Sequence, residues 1–106
     1  MGLFDFLRGP DINQGVEEYK RAEGAVLLDV RSREEYKEGR VPGSKNIPVT
    51  EIRRAEKELP NKEAPIYVYC YSGSRSRQAV AALHRMGFQK AVNIGGIGSY
   101  RGKVER

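Results

Sequence analysis

Three short apolar runs punctuate an otherwise polar chain: Ala25-Val-Leu-Leu-Asp-Val30, Pro65-Ile-Tyr-Val-Tyr69 and Ala91-Val-Asn-Ile94. Runs of this length, apolar on consecutive rather than alternate positions, predict strands covered on both faces. Between them the apolar positions recur at helical spacing. Ile12 to Arg21 reads as a short helix with Val16 and Tyr19 on one face, stopped near Gly24. Ser32 caps a helix over Arg33–Glu38, since Glu35 stands three residues on, as a capping box requires, and Gly39 follows the end. Val41-Pro-Gly43 is a turn and Asn46-Ile-Pro48 an extended piece; Thr50 then caps a helix to about Leu59, closed by Pro60-Asn61. Ser76–Met86 is a helix with Ala79, Val80, Leu83 and Met86 on one face and Gly87 as its stop. Strands alternating with helices predict an α/β domain, a mostly parallel central sheet flanked by helices on both faces. Such sheets bind ligands beyond the carboxyl ends of their strands.

Composition narrows the picture. The 106 residues suit one domain, expected over 11–106 behind a leader at 1–10 that ends in Gly9-Pro10. The opening apolar stretch is too short, and its charge wrongly sited, for a signal peptide. No run is long and apolar enough for a membrane span. A balance of 19 basic against 14 acidic residues, net +5, favours anions in general. The basic residues are mixed with acids, as in Arg33-Glu-Glu-Tyr-Lys-Glu38, and not interleaved with stacking aromatics, so nucleic acid is not expected as a partner. The single cysteine excludes an intramolecular disulfide framework and a multi-cysteine metal site. It fits a reducing, cytoplasmic compartment. No metal or cofactor is expected.

That cysteine, Cys70, follows the second apolar run and opens the loop Tyr71-Ser-Gly-Ser-Arg75, just before a helix. A free cysteine is most often a small buried hydrophobe. Here the small residues Ser72, Gly73 and Ser74 let the backbone curl with N–H groups inward, the helix start adds positive potential, and Arg75 and Arg77 supply fixed charge. Such surroundings favour thiolate. An ordinary cysteine, with a pKa of about 8.5, is only about 3% thiolate at pH 7. Cys70 is therefore the candidate nucleophile, and the backbone N–H groups of Tyr71–Arg75 the candidate anion cradle. Asp29 beside Arg31 reads as an internal ion pair that holds loops together, and His84 as a surface residue. Gly95-Gly-Ile-Gly-Ser-Tyr-Arg-Gly102 fails as a dinucleotide loop because Arg101 stands where the third glycine belongs.

Leu27-Leu-Asp-Val-Arg31, Glu34-Glu-Tyr36 and Gly39-Arg-Val-Pro-Gly-Ser-Lys-Asn-Ile-Pro48 resemble the first signature of the rhodanese domain. Cys70-Tyr-Ser-Gly-Ser-Arg75 resembles that family's active-site loop and Asn93-Ile-Gly-Gly-Ile97 its C-terminal Gly-Gly signature, in matching order over about residues 12–102. Arg40 stands where histidine is usual and Tyr100 where tryptophan is common. The resemblance implies a sulfurtransferase of the thiosulfate:cyanide class. It implies a Cys70 persulfide, a small anionic sulfur donor, and a thiol, cyanide or protein acceptor. Tyr71, Ser72, Gly73, Ser74, Arg75 and Arg77 would bind the anion, with Asp29 and Arg31 as structural support.

Alternatives are a persulfide carrier between proteins or a non-enzymatic rhodanese-like binding module. A cysteine phosphatase or arsenate reductase ranks behind. Those families have arginine six residues after the cysteine, whereas Arg75 is five after Cys70 and Arg77 seven.

Overall fold

The computed structural model describes residues 9–106; the Met1–Arg8 part of the expected leader lies outside them. Its elements in chain order are α1 (Ile12–Arg21), β1 (Val26–Asp29), α2 (Arg33–Glu38), β2 (Lys45–Asn46), a 3-10 stretch (Val49–Arg54) running into α3 (Ala55–Glu58), β3 (Ile66–Cys70), α4 (Ser74–Arg85), β4 (Ala91–Gly96) and a final 3-10 turn (Ile97–Ser99). Among the described residues the four strands pair in parallel, in the order β2-β1-β3-β4.

Strand alternation divides the core in two. Leu28, Ile66, Val68, Cys70 and Ala91 face one side, where Ala55, Leu59, Ala79, Leu83 and Phe88 from α3, α4 and the turn after α4 close over them. Leu27, Tyr69 and Ile94 face the other, against Ile12 and Val16 of α1. Helices therefore cover both faces, as the consecutive apolar positions of the strands require. One register shift interrupts the sheet. Val68 pairs with Asn93 but Tyr69 with Gly95, so β4 carries one extra residue beside the end of β3.

The expected start of α2 holds in atomic detail. The capping box at α2 is complete, with Ser32 Oγ accepting the Glu35 N–H at 3.1 Å and Glu35 Oε1 accepting the Ser32 N–H at 3.0 Å. Two helix starts differ from the sequence reading. Thr50 caps nothing: Pro48, with φ fixed near −54°, begins the coil, and Glu51 donates its N–H to the Pro48 carbonyl at 2.8 Å, which leaves Thr50 inside a 3-10 turn. Helix α4 begins at Ser74, two residues earlier than Ser76, because Gly73 takes the cap position without any side-chain bond. No helix of the described residues is long and apolar enough to cross a membrane.

Candidate active site

Strand β3 ends at Cys70, on an interior strand of the sheet, and the chain folds back through Tyr71-Ser-Gly73 into α4. Gly73 is the pivot: its φ of +103° lies in the left-handed region, where an L side chain is strained. The fold-back brings the Gly73 N–H to 3.0 Å from Cys70 Sγ and the Ser76 hydroxyl to 3.5 Å. Gly96 lies directly beneath, and a Cβ there would collide with the Tyr71 carbonyl. The same carbonyl accepts the Gly98 N–H at 3.0 Å. The second glycine of the Gly-Gly pair thus answers to the close approach of the loop backbone.

Cys70 has no exposed surface. That burial pushes its thiol up, yet the Ser76 hydroxyl and the backbone N–H groups of Ser76, Gly73 and Ser72 together carry it below the ordinary value. These dipoles favour the anionic form of the sulfur. Of the cradle expected from Tyr71 to Arg75, the N–H groups of Ser72 and Gly73 face the sulfur. Ser76, unassigned from sequence, adds both its hydroxyl and its N–H. The available signal was a hydroxyl three residues after a glycine cap, which here bonds back to the Gly73 carbonyl at 3.0 Å.

The other expected residues separate. Arg75 sits in the first turn of α4 and is bound by both Glu35 oxygens, at 2.7 and 3.1 Å, clamping α4 to α2. This pairing holds the Glu35 carboxyl down to about 2. Arg77 is exposed and, with Ser72, Gly73, Ser74, Gln78 and Arg101, lines a cavity of about 740 Å³ beside the loop, of which Cys70 is not a wall. The Tyr71 side chain is 57% exposed.

Asp29 and Arg31 form the buried pair. The carboxylate accepts the Arg31 N–H at 2.9 Å and its guanidinium at 2.7 Å, and the guanidinium also donates to the Gly39 carbonyl at 2.6 Å. Arg40 stacks over Tyr36 at 4.9 Å and pairs with Glu105 through backbone and a 3.3 Å ion pair, fastening the C-terminal segment. His84 is exposed, one ring nitrogen 2.8 Å from the Ala91 carbonyl.

The family model of the rhodanese-like domain matches residues 13–103. YrkF of Bacillus subtilis is 38% identical over 84 residues, which is 78% of this chain but 45% of that protein, so the chain spans less than half the length of YrkF. The thiosulfate sulfurtransferase PspE of Escherichia coli is 38% identical over 71 residues, covering 66% of this chain and 68% of PspE. A solved structure of a rhodanese with anions from E. coli superposes with a TM-score of 0.72 at 32% identity, over 77% of this chain and 98% of that one.

Proposed function

The chain belongs to the rhodanese-like domain family, and from that premise we propose that it moves sulfane sulfur through a persulfide on Cys70. Relatives named as sulfurtransferases support a sulfur-transfer role. The observation that carries the reading is the Cys70 sulfur at the carboxyl end of β3, ringed by the N–H groups of Ser72, Gly73 and Ser76 and by one hydroxyl.

The chemistry balances within that ring. The Cys70 thiolate attacks the outer sulfur of thiosulfate or a related donor; the new S–S bond forms as the donor's S–S bond breaks, and sulfite leaves with the electron pair. The resulting persulfide anion keeps the charge that the thiolate held, so the same N–H groups stabilise it. An acceptor, cyanide, a thiol or a protein, then attacks the outer sulfur and restores the thiolate. Arg77 at the cavity beside the loop, with Ser72, Gly73 and Ser74, attracts the anionic donor. Arg75 and Tyr71 complete the loop, Arg75 through its clamp to Glu35. That clamp also argues against a phosphatase, in which an arginine must close on a tetrahedral oxyanion. The lone thiol suits a reducing, cytoplasmic setting.

A second reading, a persulfide carrier whose donor and acceptor are proteins, is favoured by the complete burial of Cys70, because a docking partner supplies the work of opening the loop. Intact-mass spectrometry after thiosulfate treatment, beside thiosulfate:cyanide turnover, separates the readings. One added sulfur, lost in Cys70→Ser, together with turnover is the expected result. Added sulfur without turnover favours the carrier. Neither added sulfur nor turnover overturns thiosulfate as donor and returns the binding module.

A further inference from the structure

One side chain of β4 reaches back over the bulge to the loop. Asn93 Oδ1 accepts the Ser76 hydroxyl at 2.7 Å and the Gly95 N–H at 2.9 Å, while its Nδ2 donates to the Gly73 carbonyl at 3.1 Å. That carbonyl also accepts from the Ser76 hydroxyl at 3.0 Å and the Arg77 N–H at 3.1 Å. Gly73 and Ser76, two of the residues that hold the Cys70 sulfur, therefore share one anchor. We propose that Asn93 is a positioning residue for Cys70, fixing the Gly73 N–H and the Ser76 hydroxyl that face its sulfur. The proposal rests on reading Cys70 as the nucleophile.

A proton count shows how the anchor works. The Ser76 hydroxyl has one proton and three acceptors in reach: Asn93 Oδ1, the Gly73 carbonyl and the sulfur. In the thiol state the Cys70 S–H donates to Ser76 Oγ, whose own proton goes to Asn93. When the thiol gives its proton to a solvent base, the hydroxyl turns about its Cβ–Oγ bond and donates to the thiolate. Asn93 Oδ1 keeps the Gly95 N–H, so no buried acceptor is stranded by the turn. The register ahead of the bulge makes this possible, for Asn93 pairs with Val68 and so faces α4. The charged groups around the sulfur are Arg75, bound to Glu35, the exposed Arg77 at the helix start, and buried Asp29, bound to Arg31. The substitutions that test the proposal leave all of them in place.

The experiment follows the rate of Cys70 alkylation by iodoacetamide against pH in the full chain, by intact mass, which is unambiguous with a single cysteine. Asn93→Ala and Ser76→Ala are each expected to raise the apparent pKa of Cys70 by about one unit, which slows alkylation at neutral pH up to about tenfold. The double variant is expected to shift less than the sum, since both act on one hydroxyl, and Ser76→Thr to restore the wild-type profile. An Asn93→Ala protein that melts earlier with an unchanged pKa overturns the proposal, as do shifts that simply add. Ser76→Ala removes only one oxygen and leaves Asn93 bonded to Gly95 and Gly73. It therefore stands as the test if Asn93→Ala does not fold, and an unchanged pKa in it is equally fatal. A wild-type thiol at its ordinary pKa overturns the sulfur-transfer reading beneath. A lowered wild-type pKa shared by the variants overturns the positioning role alone.

Discussion

At the end of β1 the Asp29 carboxylate takes the backbone N–H and the guanidinium of Arg31, and the guanidinium completes its bonds on the Gly39 carbonyl. One strand over, at the end of β3, the Cys70 sulfur takes N–H and O–H groups only, and the nearest arginine of its loop is bound to Glu35. Both are buried at the carboxyl end of the sheet. They differ in what compensates the charge. A carboxylate closed by a full counter-charge has nothing left to offer a reactant, and it organises the turns around it. On the sulfur-transfer reading, a sulfur held mainly by dipoles, with Arg75 acting on it from its clamp to Glu35, keeps its charge available to pass to an incoming sulfur atom while the donors stay where they are.

Removing the counter-charge is the strongest way to break this contrast. Arg31→Met leaves Asp29 buried without its counter-charge and is expected to cost about 3–5 kcal/mol in denaturant unfolding. Cys70→Ser is expected to leave the unfolding midpoint close to wild type. Gly96→Ala presses a methyl group into the Tyr71 carbonyl; about 1–3 kcal/mol of stability should go, with slower Cys70 alkylation as the loop shifts. Glu35→Gln frees Arg75 and weakens the clamp between α2 and α4. A loss of about 1 kcal/mol is expected for this partly exposed pair.

The pH dependence of that last difference sharpens it. Because the folded Glu35 carboxyl titrates near 2 rather than 4.5, its stabilisation is present in full above pH 4.5 and is lost as pH falls toward about 2. Thermal melts of wild type and Glu35→Gln should therefore converge over that window. The smallest effect is expected for Tyr71→Ala: with a side chain 57% exposed, its unfolding free energy should stay within about 0.5 kcal/mol of wild type.

What could be read from the sequence divides along the same line. The three main strands, the Ser32–Glu35 capping box and the Cys70 loop are local patterns, in which each residue's partner lies within a few positions. The Asp29–Arg31 pair was legible for the same reason, its partners being two residues apart. Arg75 and Glu35 are 40 residues apart, and Ser76 and Asn93 are 17 apart, joined only once the sheet sets its register. Thr50 differs because a threonine before a charged run reads as a cap, while Pro48 two residues earlier begins the coil instead. The start of α4 is hidden from the sequence because its cap is a glycine with no side chain to announce it.

The extra residue in β4 sets a length, where the other features set chemistry. Deleting Gly95 would straighten the strand: Gly96 would stay opposite Cys70, but Ile94 would move opposite Tyr69 and Asn93 Oδ1 would lose the Gly95 N–H that it accepts.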